Sequence, residues 1–150
     1  GVIRVLNIFF RLIKPNFAFF GEKDYQQYLI VKYFANLFFK KTEIVLCPTI
    51  RDLNGLAMSS RNLRLCGESI DKSKLIYEVL LFCKNNFDHS KRHILENLCF
   101  EKLLKFSNPE YFEIRHSHDL MNDGSNNQKW RAFVATNFGN VRLIDNIAVN

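Results

Sequence analysis

Two short segments carry the residue types that handle phosphate. In Phe19-Phe20-Gly21-Glu22-Lys23-Asp24, a glycine, a lysine and a carboxylate stand where an apolar run gives way to a helical pattern. Free backbone N–H groups and the positive end of the helix dipole attract anions at such a junction. Gly21 lets the backbone approach closely and Lys23 brings a mobile cation. Asp24 is placed to cap the helix, to hold a ribose hydroxyl or to orient Lys23. The second segment runs from Pro48-Thr49-Ile50-Arg51-Asp52 through Asn54-Gly55-Leu56-Ala57-Met58 to Ser59-Ser60-Arg61-Asn62, setting two hydroxyls and a guanidinium side by side after a turn. Charge developing during attack at a nucleotide's α-phosphate would be met by Arg61 and Lys23, with Ser59 and Ser60 donating hydrogen bonds, so catalysis would be electrostatic and positional. Each segment also has a purely structural reading. The first would be a strand-to-helix turn with a capping box from Asp24 to Gln27, the second a serine cap. The phosphate-loop pattern GxxxxGK[ST] is absent.

These side chains need elements to hold them. The spacing of Val2, Val5, Leu6, Phe9 and Ile13 predicts an amphipathic helix that Pro15 stops. Phe17-Ala18-Phe19-Phe20, ending at Gly21, fits a short buried strand. A second helix follows, capped by Asp24, its apolar face running through Ile30, Phe34, Leu37 and Phe38 until Lys40 and Lys41 close it. Glu43 to Cys47 reads as another strand. This is the rhythm of an α/β unit whose parallel strands are joined by a crossover helix, half of a doubly wound sheet. From Pro48 to Leu65 the periodicity disappears, and a domain boundary is expected near Pro48. Beyond it, Leu75, Ile76, Val79, Leu80 and Cys83 form one helical stripe, and Leu95, Leu98, Cys99, Leu103 and Phe106 another. The tail alternates like antiparallel sheet over Tyr111 to Arg115, Trp130 to Thr136 and Val141 to Ile147, with Gly139-Asn140 as a tight turn. Asn122 to Gln128 reads as a polar, mobile loop.

Composition narrows the partners. With 150 residues, 47% hydrophobic and 24% charged, the chain has the makings of a packed soluble domain rather than a disordered one. Arg11, Lys14, Glu22 and Lys23 interrupt the apolar N-terminal third, so no membrane helix is expected. The net charge of +6 points towards an anionic partner, but Lys and Arg are dispersed and form no block suited to nucleic acid. Cys47, Cys66, Cys83 and Cys99 form no CxxC pair and read as reduced thiols in a cytoplasmic protein. His89 with His93, and His116 with His118, have ligand-like spacing without an accompanying carboxylate or cysteine constellation, so surface histidines are expected and no metal site. The chain starts at Gly1 without an initiator Met or signal-peptide pattern and enters a helix at once, which reads as an excerpt of a longer protein.

Taken together, Gly21-Glu22-Lys23-Asp24-Tyr25-Gln26-Gln27, Pro48-Thr49-Ile50-Arg51 and Asn54-Gly55-Leu56-Ala57-Met58-Ser59-Ser60-Arg61-Asn62 closely resemble the pantothenate synthetase family. Gly1-Val2, Leu6-Asn7-Ile8-Phe9-Phe10 and Pro15 resemble the family's helix before this strand, and Arg142-Leu143-Ile144-Asp145-Asn146 its C-terminal strand. The resemblance implies an ATP-dependent, AMP-forming ligase that joins pantoate to β-alanine through a pantoyl-adenylate, with Mg²⁺ accompanying ATP. It implies an α/β fold: the rear of a Rossmann-like nucleotidyltransferase domain over residues 1–48, then a small α+β lid over 49–150 carrying a phosphate-gripping loop at 55–62. By position, Gly21, Glu22, Lys23 and Asp24 fall on the family's first ATP-binding stretch. Met58, Ser59, Ser60 and Arg61 fall on its flexible loop, Ile50 on a backbone adenine contact, and Gln27 on a glutamine that binds pantoate. A homodimer is implied for the full enzyme. The superfamily's HxGH-type motif is absent from these residues, so they alone are expected to be inactive, leaving an ATP-binding remnant, or behind it a basic nucleic-acid-binding domain suggested only by charge, as the alternatives. Cys66-Gly67-Glu68-Ser69 departs from the polar, Arg-containing helix start usual in the family.

Overall fold

The structure, a computed structural model, describes residues 1–121 and 128–150. It divides into two compact units, Gly1–Thr49 and Ile50–Asn150. The expected polar loop at 122–128 lies outside the described residues except for Gln128.

In the first unit, helix α1 (Val2–Ile13) ends where Lys14 turns left-handed at φ 50° and returns its N–H to the Phe10 carbonyl at 3.0 Å. Pro15 then prevents continuation. The inward stripe is buried Phe10 with half-buried Ile3 and Leu6; of the predicted residues only Leu6 joins it, while Val2, Val5, Phe9 and Ile13 are exposed. The apolar arc covers all but the face of Arg4, Asn7 and Arg11, so periodicity alone could not choose which part of it turns inward. Strands β1 (Phe17–Gly21) and β2 (Glu43–Cys47) pair in parallel, from Phe17 opposite Glu43 to Gly21 opposite Cys47. Their entry is pinned by the Thr42 hydroxyl, which donates to the Pro15 carbonyl at 2.7 Å. The crossover is helix α2 (Tyr25–Phe38).

Strand β1 was expected to be buried, yet only Ala18 and Phe20 join the core, while Phe17 and Phe19 are exposed on the opposite face. Period-two alternation separates the two sets. Helix α2 buries Tyr25, Tyr28, Val31 and Ala35. Of the predicted stripe, Ile30, Leu37 and Phe38 are exposed and Phe34 is half-buried against Phe39, rings 5.4 Å apart. Two tyrosines, a valine and an alanine hold the inner face, where small Ala35 and Val31, both fully buried, allow close packing.

In the second unit, helices α3 (Glu68–Asn85) and α4 (Arg92–Leu104) pack on an antiparallel sheet of β3 (Asn108–His116), β4 (Trp130–Phe138) and β5 (Val141–Ala148), in that order. The core joins Ile76, Val79, Leu80 and Cys83 of α3 and Leu95, Cys99 and Leu103 of α4 to inward residues such as Ile114, Val134 and Leu143. Each large side chain so buried contributes about 1.5–3 kcal/mol. Leu98 was expected on this stripe but is exposed, being one residue out of the step from Leu95 to Cys99. Strand β3 starts earlier than its alternation suggests. It is an edge strand, so Pro109 is tolerated, and the register shifts between Pro109 and Tyr111. The departure at Cys66–Ser69 resolves into a helix start in which Gly67, at φ 55° and ψ −137°, adopts a backbone reserved in practice for glycine, with Glu68 and Asp71 favourably in the first turn.

Trp130, fully buried, lies against the imidazoles of His89 and His116 at 5.1 and 6.0 Å, with the Arg92 guanidinium 4.8 Å from its ring. The histidines are therefore not all simple surface groups. Contrary to expectation, His93 and His116 have carboxylate neighbours, Glu96 at 3.0 Å and Asp119 at 2.9 Å, because one helical or looped turn separates each pair. Among the described residues, no group of three or more His, Cys, Asp or Glu side chains is placed to hold a metal, and no helix is long and apolar enough to cross a membrane. All four cysteines are free thiols.

Candidate functional site

The first segment occupies the carboxyl end of the parallel strands. Gly21 and Cys47 are level there, and the chain leaves β1 through a 3-10 turn, Glu22–Asp24, that runs into α2. Amides at the start of that helix are short of intrahelical acceptors, and the dipole favours anions. Gly21 is extended at φ −70°, and a Cβ there would meet nothing within 4 Å. Neither backbone nor packing demands this glycine, so its absent side chain leaves the strand end open. Tyr25 and Tyr28 anchor the turn, both buried, with rings 5.7 Å apart.

Asp24 sits at the helix cap but makes no side-chain capping bond, and its φ of −95° and ψ of 53° show why. A capping side chain needs an extended backbone beneath it, and the 3-10 turn removes it. The expected box from Asp24 to Gln27 does not form. Gln27 is exposed on the first turn of α2, and Glu22 and Lys23 are half-buried.

The second segment is a small hairpin rather than a loose loop. The Met58 N–H donates to the Ile50 carbonyl at 2.9 Å and the Asp52 N–H to the Leu56 carbonyl at 3.0 Å, framing a bridge between Arg51 and Ala57. The Asp52 carboxylate accepts from the backbone of Asn54 and Leu56 at 2.8 and 3.0 Å, an Asx turn. Gly55 closes it at φ 85°, so close to Tyr77 that an added Cβ would lie 2.4 Å from a ring carbon. After the hairpin, Ser59 is extended and its Oγ accepts the Arg61 N–H at 3.2 Å, opening a 3-10 turn over Ser60–Arg64. The serine-cap reading thus holds for Ser59, whereas Ser60 is exposed. The Asn62 amide ties the turn to the Ala57 carbonyl at 3.0 Å, and the exposed Arg61 reaches the Arg142 carbonyl on β5 at 3.4 Å.

Sequence reasoning missed the hairpin's root. Arg51 donates from both terminal nitrogens to Asp145, at 2.5 and 2.9 Å, gives a further bond to the Gly55 carbonyl at 3.0 Å, and stacks over Tyr77 at 4.0 Å. The Asp145 side chain is 3% exposed. One signal was present: Asp145 falls in phase with Val141 and Leu143 on the inward face of β5, and a carboxylate there demands a partner. Nothing in the pattern located that partner 94 residues away.

The structure thus gathers Gly21, Glu22, Lys23, Asp24 and Gln27 on one strand-to-helix turn of the first unit. Ile50 is joined to Met58, with Ser59, Ser60 and Arg61 following, on one hairpin and turn of the second.

A parallel βαβ unit followed by helices on an antiparallel meander places the chain among mixed α/β proteins, the class that takes anionic ligands at the carboxyl ends of parallel strands. The chain belongs to the pantoate-β-alanine ligase family, whose model matches residues 1–148. It is 39% identical to a pantothenate synthetase of Christiangramia forsetii and 36% identical to one of Leptospira interrogans, in each case over 100% of this chain and 54% of the relative. The chain spans about half the length of the curated relatives it matches. The crystal structure of pantothenate synthetase from Thermus thermophilus superposes with a TM-score of 0.87 at 33% identity, over 99% of this chain and 55% of that one. A pantoate-β-alanine ligase from Francisella tularensis, described as complexed with β-γ ATP and β-alanine, gives a TM-score of 0.71 at 33% identity, over 99% and 49%.

Proposed function

We propose that this chain serves the ATP-dependent condensation of pantoate with β-alanine. A pantoate carboxylate oxygen attacks the α-phosphorus, the bond to the β-phosphate oxygen breaks, and pyrophosphate leaves. The β-alanine amine then attacks the acyl carbon of the pantoyl-adenylate, forming the amide and releasing AMP with a proton. The observation that carries this reading is the hairpin that fixes Ile50 beside Met58 and delivers Ser59, Ser60 and Arg61, in a chain of this family.

In that reading Lys23 and Arg61 offset the charge that builds on phosphate oxygens, and Ser59 and Ser60 donate hydrogen bonds to them. Gly21, Glu22 and Asp24 complete the first ATP-binding stretch, the Ile50 backbone meets adenine, Met58 contributes to the nucleotide grip, and exposed Gln27 binds pantoate. Mg²⁺ travels with the triphosphate, since it keeps most of its waters and needs few protein ligands. Residues 1–48 act as the rear of a Rossmann-like domain and 49–150 as its lid, in a cytoplasmic homodimer.

Calorimetry with MgATP tests the phosphate contacts. Lys23→Ala and Arg61→Ala should each weaken binding by about tenfold or more, as expected for loss of a charge-assisted contact. Unchanged affinity in both would show that these cations do not touch the nucleotide. The 150 residues alone should bind MgATP without making pantothenate, and turnover by them would show the HxGH-type motif dispensable.

A further inference from the structure

We infer that Arg51 and Asp145, supported by Tyr77, are positioning residues that set the spacing between the adenine-contacting and phosphate-gripping parts of the 50–61 segment. The inference rests on the nucleotide reading given above for Ile50 and Met58–Arg61, and extends it to residues to which that reading assigns no ligand.

Ile50 and Met58 flank the hairpin and are joined by one backbone hydrogen bond of 2.9 Å. Both side chains are exposed, so neither is held by packing of its own. The hairpin's shape is held from beneath. Arg51 engages Asp145 with two nitrogens, a fork that fixes orientation as well as distance, while the same guanidinium holds the Gly55 carbonyl at the hairpin tip. Tyr77 fills the space under both, 4.0 Å from the guanidinium and in contact range of Gly55. Asp145 is fixed in turn, accepting the Asn146 N–H at 2.8 Å on a strand paired along its length with β4. Root and tip of the hairpin are thereby referred to one rigid strand.

The second attachment to β5 is of another kind. Arg61 reaches the Arg142 carbonyl at 3.4 Å from an exposed position, a long neutral-acceptor bond that a phosphate can replace. The segment therefore has a fixed root at Asp145 and a releasable end at Arg142. Displacing a gripping group by about an ångström costs on the order of 100-fold in a positioned reaction, so a fixed root has a functional return.

The test separates positioning from simple stability. Removing one partner leaves a buried charge and can unfold the protein, so the informative variant is the paired replacement Arg51→Met with Asp145→Leu, since well-packed apolar pairs commonly match or exceed a buried ion pair in stability. In the full-length protein this variant should keep the wild-type melting temperature to within a few degrees. Amide exchange at Asp52, Leu56 and Met58 should nevertheless quicken by about tenfold or more, with β4 and β5 still protected. MgATP affinity should fall by about tenfold or more, the loss expected when a charge-assisted phosphate contact is misplaced. Arg51→Lys, which keeps the charge but loses the fork, should lie between. A stable paired variant with wild-type exchange in the hairpin, or with quickened exchange and unchanged MgATP affinity, would overturn the assignment. If the wild-type protein binds no MgATP, the nucleotide reading of this segment fails, and the positioning role fails with it even where exchange shows the clasp rigid.

Discussion

Gly21 and Gly55 occupy the two segments that carry the proposed chemistry, for opposite reasons. Gly55 is required by the fold: its φ is 85° and a Cβ would strike Tyr77 at 2.4 Å. Gly55→Ala should therefore destabilise the second unit by about 2 kcal/mol or more in urea unfolding, strain and overpacking adding. Gly21 is extended with open space around it, so Gly21→Ala should leave the unfolding midpoint unchanged while weakening MgATP binding. Equal stability effects at the two positions would refute that contrast. Glu110 gives a pH signature at the same scale. Its carboxyl is held below the usual range by Asn137, which donates at 3.0 Å, and by Arg142 at 2.8 Å. A depressed folded-state pKa means the stabilisation is present above the unfolded value, about 4.3, and is lost as pH falls through the folded one. Melting temperatures of wild type and Glu110→Gln should differ at neutral pH and converge in acid, and a gap constant to low pH would rule the ion pair out.

Helices and strands differ in how far their sequence spoke for them. Strands β4 and β5 were plain because alternation and a two-residue turn at Gly139-Asn140 agree. In α1 and α2 the element was legible but its inner face was not. The apolar arc of each helix is wider than the core it meets, and the choice within it fell to Phe10, Val31 and Ala35 through packing that no local pattern records. The candidate site divides the same way. Residues of the two phosphate-type segments announced themselves by type and order, whereas the capping box failed on backbone geometry and the Arg51–Asp145 root depends on a contact made only in three dimensions. The α3–α4 interface yields a chemical test. Cys83 and Cys99 meet there, both fully buried, and the hydrogen bond that the Cys83 thiol donates to Cys99, together with burial, pushes the Cys83 thiol far above its ordinary range. Exposed Cys66 should react with a thiol reagent in the folded protein, and Cys83 should stay unmodified until the fold is lost. Early labelling of Cys83 would show that the two helices part readily.

On the scale of the whole molecule, the two units are unequal. The second has a continuous core of many large side chains, while the core of the first centres on Phe10, Val31 and Ala35, between its helices and a two-stranded sheet. So small a sheet and core are marginal. In these 150 residues taken alone, residues 1–49 should therefore lose structure at lower urea than residues 50–150, seen as earlier amide exchange across α1, α2, β1 and β2. Simultaneous exchange in both units would mean that they unfold as one. The chain's single tryptophan gives this inequality an optical form. Trp130 lies wholly in the larger unit, pressed between two imidazoles and a guanidinium, while Tyr25, Tyr28 and Tyr33 lie in the smaller. Indole emission therefore reports the packing of the larger unit and is blind to the smaller. For these 150 residues alone, an unfolding curve drawn from it would still read as folded after a third of them had already come apart.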